Sequence, residues 1–374
     1  MAASRKRKAD LPLYICLDSS DGSVENEVLH GFARVKMLGA RNVADLKDAD
    51  LQEASVCAVW HTLRLDAALL AQLPRCLAIV RMGVGYDNVD IAAAGRLGIS
   101  VCNIPDYGTE EVADSTMALT LGLFRGALAG ARLLHEPGRE VRGADAIAAA
   151  VPYVRRVRGS TLGLVGLGRI GSAVAARAKA CGFDVVFFDP YREDGADKAL
   201  GIARAATLDE LLAASDCVSL HANCVSAGVS AEGARAAPEK LIGADALRKM
   251  RPGALLVNTA RGELVDEEAL CAALHSGQLG AAALDVHWSE PWARREVGSL
   301  AGAPNLFCCP HQAWYSPESR AEMRSKGAEA ARRALGSLGS HIPKPGEGLR
   351  HLLRNVVNAS LIDEEEMAKR FSPA

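Results

Sequence analysis

Short apolar runs alternate with amphipathic, alanine-rich stretches along most of the chain. Runs at 13–17, 35–38, 56–60, 77–80 and 99–102 are four or five residues long, and polar or glycine-bearing segments separate them. Runs this short and this rich in Val, Ile and Leu predict buried strands. Between them, 66–73 and 91–97 carry helical spacing. Residues 110–134 predict one long helix, with Glu110, Glu111 and Asp114 near its start, where acids suit the helix dipole. It is apolar on more than one side, so much of it must be buried, in part against another subunit. Residues 135–157 read as a connection holding a short helix. Strands then resume at 161–165, 184–188, 217–220, 255–258, 281–286 and 306–309, with helices at 172–181, 208–214 and 318–338. Residues 224–240 lack any period and predict a flexible loop, and Pro343 and Pro345 interrupt the mixed tail from 341. No solenoid repeat is visible. Strands alternating with helices predict an α/β protein with parallel sheets covered on both faces.

The stretch most dense in chemistry follows the strand at 161–165. Gly166, Gly168 and Gly171 form G-x-G-x-x-G, a helix follows, and Asp189 closes the next strand 18 residues after Gly171. Gly166 permits a tight turn, Gly168 lets a pyrophosphate approach the backbone, and Gly171 lets helix and strand pack closely. The helix N-terminus offers N–H groups to the phosphates, and Asp189 stands where a carboxylate accepts ribose hydroxyls. That carboxylate repels a 2′-phosphate, which favours NAD over NADP, although Arg192 lies three residues further on.

Composition narrows the picture. A chain of 374 residues is long for one core, so two domains are expected. The net charge of −2 gives no bulk pull toward nucleic acid or membrane. No apolar stretch is long enough to span a bilayer, and no signal peptide is visible. Ten cysteines lie scattered without C-x-x-C pairs, several of them inside apolar runs, which fits a reducing compartment and no metal site. Arg5-Lys6-Arg7-Lys8 reads as a solvated tail or as a nuclear import signal.

Three polar residues fall just after strands in the C-terminal half: Arg261, Glu290 and His311. Open α/β sheets bind ligands at the carboxyl ends of their strands. A guanidinium forks onto a carboxylate and polarises the neighbouring carbonyl. An imidazole gives or takes the hydroxyl proton, and a carboxylate orients it and raises its pKa. Together they suit hydride chemistry on a 2-oxo acid.

At this point the chain resembles the D-isomer-specific 2-hydroxyacid dehydrogenase family over about residues 12–358. The matching stretches are Gly83-Val84-Gly85-Tyr86-Asp87-Asn88-Val89-Asp90, the glycine motif, Asn258-Thr259-Ala260-Arg261-Gly262, Ala282-Ala283-Leu284-Asp285-Val286 and Pro310-His311. Within the family it is similar to the C-terminal-binding protein branch, the NAD(H)-sensing transcriptional corepressors. The marks are Asp189-Pro190-Tyr191, Ser215-Asp216-Cys217-Val218-Ser219-Leu220-His221 and above all Ala313-Trp314-Tyr315-Ser316.

The resemblance implies two Rossmann-like doubly wound domains, the cofactor domain inserted into the substrate domain, and a homodimer formed through the long helix. It implies a basic tail at 1–11, a substrate domain at 12–106 plus 318–358, an NAD domain at 107–317 and a tail at 359–374. Arg261, Glu290 and His311 match the catalytic triad. Gly166, Gly168, Arg169, Ile170, Gly171, Asp189, Thr116, Thr259, Ala260 and Asp285 match NAD contacts. Backbone N–H groups near Val84 and Gly85 match the substrate carboxylate site, and Arg81 and Trp314 match its lining. The implied partners are a small 2-oxo or 2-hydroxy acid and short peptide motifs of transcription factors, in the cytoplasm or nucleus. The other expectation is a purely metabolic enzyme, of the glyoxylate/hydroxypyruvate reductase or phosphoglycerate dehydrogenase kind. Three departures stand out: Val84 where the corepressors carry Ser, Trp288 where they carry Glu, and a longer loop at 223–240. The long tail of the animal corepressors is also missing.

Overall fold

The computed structural model describes residues 11–135, 143–224, 237–288, 300, 302–337 and 355–371. The described residues form two compact units. One holds the chain up to Tyr107 and again from Ser316, and the other runs from Gly108 to Tyr315.

The first unit is built on five parallel strands: β1 (Leu13–Cys16), β2 (Arg34–Met37), β3 (Ala54–Val59), β4 (Ala78–Arg81) and β5 (Ser100–Asn103). Their order is β2-β1-β3-β4-β5, a doubly wound order whose direction reverses beside β1. One face packs Ile15, Cys57, Val59, Ile79 and Val101 against Leu69, Leu70, Ala93 and Ala94 of two short helices. The Asp66 and Asp90 carboxylates cap those helices by accepting from Leu69 and Ala93 N–H. On the other side, Gly327 of the Pro317–Ser337 helix sits so close to Met82 that a Cβ there would lie 2.5 Å from its sulfur. That helix is tied to the N-terminal Ser23–Val28 helix by a buried ion pair: Arg324 Nε donates to Glu25 Oε1 at 3.0 Å.

The second unit carries seven parallel strands: β6 (Thr161–Val165), β7 (Asp184–Phe188), β8 (Ala203–Arg204), β9 (Cys217–Leu220), β10 (Ala254–Asn258), β11 (Leu279–Leu284) and β12 (Leu306–Cys308). Their order, β12-β11-β10-β9-β6-β7-β8, reverses between β6 and β9, the place where such sheets take a ligand. Both faces are buried. Leu255 and Val257 enter one core and Leu256 the other, which is why these strands read as unbroken apolar runs.

Three expectations are corrected. The long helix at 110–134 is two helices, Thr109–Phe124 and Ala127–Leu134. Gly126 separates them at φ 63°, a left-handed conformation that glycine adopts without steric cost. The helix expected from 172 starts three residues earlier, at Arg169, directly behind Gly168. The stretch expected as a tail at 359–374 carries a helix, Glu364–Phe371, which seats Met367 against Gly98. A Cβ at Gly98 would lie 2.3 Å from the Met367 nitrogen. Short helices at Asp48–Glu53, Ala196–Leu200, Ala244–Lys249 and Glu267–His275 are not among those the sequence predicted.

Candidate active site

In the second unit the glycine motif lies at the sheet's switch point. Gly166 leaves β6 at φ 97°, and a Cβ there would lie 2.7 Å from the His221 carbonyl oxygen at the end of β9. A Cβ at Gly171 would lie 2.3 Å from the Gly166 oxygen. Gly168 has open space instead, with nothing within 4 Å of a built Cβ. Two glycines thus close the turn and the third leaves it bare. Gly168 also opens the Arg169–Cys181 helix without a side-chain cap, so the backbone N–H groups at Arg169, Ile170 and Gly171 have no capping oxygen. At the end of β7 the Asp189 carboxylate accepts from Leu167 N–H and Tyr191 N–H, each at 2.9 Å, which fixes it beside the glycine turn. A bare turn, an uncapped helix start and a fixed acid fit a dinucleotide.

His221, which ends the stretch Ser215–His221 marked in the sequence but given no role there, floors this turn. Its Nε2 lies 2.9 Å from Ser219 Oγ. Burial pushes its pKa from 6.5 down to about 4, because a charged ring would lose its hydration there. The unfolded chain takes up this proton near 6.5 and the folded one only near 4. The stability it supports is therefore complete above 6.5 and is lost as pH falls toward 4. We expect urea unfolding to lose roughly 2 kcal/mol across that window, less than the full shift because the ring keeps some solvent. His221→Phe should flatten the slope; an unchanged slope would assign the acid sensitivity to other groups.

Beyond β10, β11 and β12 the chain makes three turns, side by side because the strands are adjacent. Asn258, buried at the end of β10, pins the first. Its Nδ2 donates to the Arg261 carbonyl at 2.7 Å, and its Oδ1 accepts from Ala260 N–H at 3.0 Å. Arg261 is held extended there, its Nη1 donating to the Ala260 carbonyl at 2.6 Å. A Cβ at Gly262 would lie 2.1 Å from the His287 carbonyl carbon, so only glycine lets the first and second turns meet.

Asp285 closes the second turn and organises the third. Its two carboxylate oxygens accept from Gln312 and Ala313 N–H, each at 2.9 Å, while its carbonyl accepts from His311 N–H at 2.8 Å. His311 is thereby held at φ 54°, a conformation costly for a non-glycine residue, and three hydrogen bonds to one aspartate sustain it. Such stored strain is characteristic of functional positions. Trp314 follows, its ring edge-on to Tyr315 with centroids 5.7 Å apart. Thr116, fully buried in the Thr109–Phe124 helix, donates to the Val112 carbonyl and shares a 2.8 Å hydrogen bond with Thr259. Hydrogen bonds thus join Thr116 to Thr259, the Ala260–Arg261 turn to Asn258, and the His311 turn to Asp285. Glu290 lies outside the described residues, as do residues 225–236 of the loop. Trp288 is anchored by Nε1 donating to the Val265 carbonyl at 2.7 Å, with Lys240 Nζ 5.7 Å from its ring centroid.

In the first unit, Arg81 ends β4 almost wholly buried, Nη1 donating to the Met82 carbonyl at 2.9 Å. Gly83, at φ 143°, lies over it, and a Cβ would come 1.6 Å from Arg81 Nη1. Val84 and Gly85 follow at the carboxyl edge of that sheet, the Val84 carbonyl accepting from Asn103 Nδ2 at 2.7 Å. Asn88 fixes the far side of this loop by donating to the Trp60 and Leu63 carbonyls.

The sequence matches the D-isomer specific 2-hydroxyacid dehydrogenase NAD-binding domain over residues 124–313. It is 38% identical to C-terminal-binding protein 1 of Caenorhabditis elegans over 324 residues, which is 87% of this chain and 43% of that protein. The chain thus spans less than half the length of that relative. It is 37% identical to glyoxylate reductase of Korarchaeum cryptofilum over 268 residues, 71% of this chain and 75% of that one. Among solved structures, D-lactate dehydrogenase from Aquifex aeolicus, complexed with NAD and lactic acid, superimposes with a TM-score of 0.73 at 26% identity, covering 87% of this chain and 96% of the other. The chain belongs to the D-isomer-specific 2-hydroxyacid dehydrogenase family. The matched domain is an NAD-binding domain, and NAD is the cofactor of that domain. Among the described residues, no cluster of three metal-ligating side chains occurs and no helix is long and apolar enough to cross a membrane. None of the ten cysteines is paired in a disulfide.

Proposed function

We propose that the chain reduces a 2-oxo acid to the D-2-hydroxy acid with NADH, and that it also works as an NAD(H)-responsive transcriptional corepressor. NADH supplies the hydride. His311 gives its proton to the carbonyl oxygen as the hydroxyl forms, Arg261 clamps the carboxylate and polarises the carbonyl, and Glu290 supports the imidazole. Arg81, Val84 and Gly85 of the first unit, and Trp314 of the second, are the residues this reading assigns to the substrate. Gly166 to Gly171 carry the pyrophosphate, Asp189 the ribose, and Thr116, Thr259, Ala260 and Asp285 lie toward the nicotinamide. The observation that carries the enzymatic reading is the strained His311 turn, held by Asp285 beside the Arg261 turn that Asn258 pins.

The corepressor reading rests on the likeness to C-terminal-binding protein 1 and on Ala313-Trp314-Tyr315-Ser316. It carries with it a homodimer, short peptide motifs of transcription factors as partners, and work in the nucleus as well as the cytoplasm. Val84 and the likeness to a glyoxylate reductase favour a second reading, a metabolic reductase.

The test is NADH oxidation by the purified protein against a panel of 2-oxo acids, with tryptophan quenching by NADH measured alongside. Slow, unselective turnover with tight NADH binding supports the corepressor. Fast turnover on one acid makes this a metabolic dehydrogenase. No turnover on any acid overturns the catalytic reading.

A further inference from the structure

The turn after β7 gathers around a side chain from the edge of the sheet. Arg204 stands in the two-residue strand β8, paired with Phe187 of β7. Its guanidinium carbon lies 5.7 Å from the Phe187 ring centroid. Nη2 donates to the Arg192 carbonyl at 2.8 Å and to the Asp189 carbonyl at 3.3 Å. Nη1 donates to Asp194 Oδ1 at 3.1 Å and to the Glu193 carbonyl at 3.5 Å. One planar fork thus collects four oxygens from the turn at 189–194, a task its fixed geometry suits and an ammonium does not. The same turn places the Asp189 carboxylate, whose oxygens already receive Tyr191 and Leu167 N–H. A line of contacts therefore runs from Arg204 through the turn's backbone to Asp189 and on to the glycine loop.

We propose that Arg204 is a positioning residue that sets the NAD preference of this site by folding the 189–194 turn around its guanidinium. The proposal rests on the reading above that Asp189 receives the adenosine ribose. Two physical effects follow. The turn is ordered before the ribose arrives, so binding does not bear that entropy cost. And an arginine that could otherwise accept a 2′-phosphate directs both terminal nitrogens to the turn's own oxygens, leaving the Asp189 carboxylate to meet the ribose. The cation here serves selectivity for NAD by being occupied, the reverse of the use an arginine near this place has in NADP sites.

The test uses Arg204→Met, which keeps an unbranched stem over Phe187 and removes the fork. Dissociation constants for NADH and NADPH are measured by tryptophan quenching, with the melting temperature beside them. The expected result is NADH affinity lower by about tenfold with NADPH affinity little changed, so that the NADH/NADPH preference contracts by about the same factor. Arg204→Lys should restore only part of it. A role confined to stability would lower the melting temperature and leave the preference intact, and that result would overturn the proposal. Asp189→Ser separates the two levels. If it erases the preference while Arg204→Met does not, the Arg204 inference alone fails. If Asp189→Ser leaves the preference intact, the ribose reading fails and the inference with it. Should Arg204→Met not fold, Arg204→Gln is read in its place against the same outcomes.

Discussion

Replacing His311 by Asn is expected to lower NADH-dependent turnover of 2-oxo acids by roughly a thousandfold while leaving NADH affinity nearly unchanged. Loss of a positioned general acid removes on the order of 10² to 10⁴ in rate, and the imidazole is the group the proposed reaction uses to deliver its proton. The choice of Asn matters. His311 sits at φ 54°, a region Asn enters more readily than Ala. His311→Ala would add backbone strain to the loss of the acid, and a fall in rate would then mix two causes. With Asn, the Asp285 carboxylate still receives Gln312 and Ala313 N–H, so the turn keeps its frame. The measurement is kcat on the preferred acid, with an NADH titration and a thermal melt beside it. Turnover within tenfold of the wild type would remove His311 from the reaction.

Arg324→Met is expected to destabilise the protein more than any other single substitution considered. Arg324 and Glu25 are 5% and 1% exposed, and two guanidinium nitrogens meet the two carboxylate oxygens. Asp21 completes the site, accepting from Arg324 Nη1 at 2.6 Å through its side chain and from Nη2 at 2.7 Å through its carbonyl. These partners hold the guanidinium pKa well above its ordinary value, the Glu25 carboxylate foremost. Removing the arginine strands a carboxylate without its counter-charge, which costs about 3–5 kcal/mol. The double substitution Arg324→Met with Glu25→Leu should recover most of that loss, since two apolar groups of similar volume need no partner. Urea unfolding of the two variants is the check. A single variant that loses under about 1 kcal/mol would show that the pair is solvated. The pair joins the two chain segments of the first unit, residues 299 apart, so unfolding should release both together.

Much of the fold was legible before any coordinates. Strands β4, β6, β7, β9 and β10 coincide closely with apolar runs, because a strand buried on both faces leaves few polar positions, most of them at its ends. The glycine motif was legible for a different reason. Its spacing reflects local backbone geometry, and the close approaches at Gly166 and Gly171 are what such a spacing serves. Gly126 was missed as a helix boundary because it is one of three glycines in that stretch, and nothing in the sequence separates it from Gly122 and Gly130, which lie inside helices.

What the sequence determined by itself is therefore local: which runs become strands, where the glycine turn lies, and that Arg261 and His311 each follow a strand end. The tertiary structure decided how those residues are held. Asn258 reads as one more strand residue until its amide is seen on both sides of the Arg261 turn. Asp285 reads as a cofactor contact, and only the pairing of β11 with β12 turns its carboxylate onto the His311 turn. Arg204 and Arg324 carry no motif at all. Their partners lie across a sheet edge or at the far end of the chain, and side-chain pairing over such distances leaves no period in one sequence. Periodicity records how a segment meets a core, whereas a hydrogen-bonded site depends on which segments the core brings side by side.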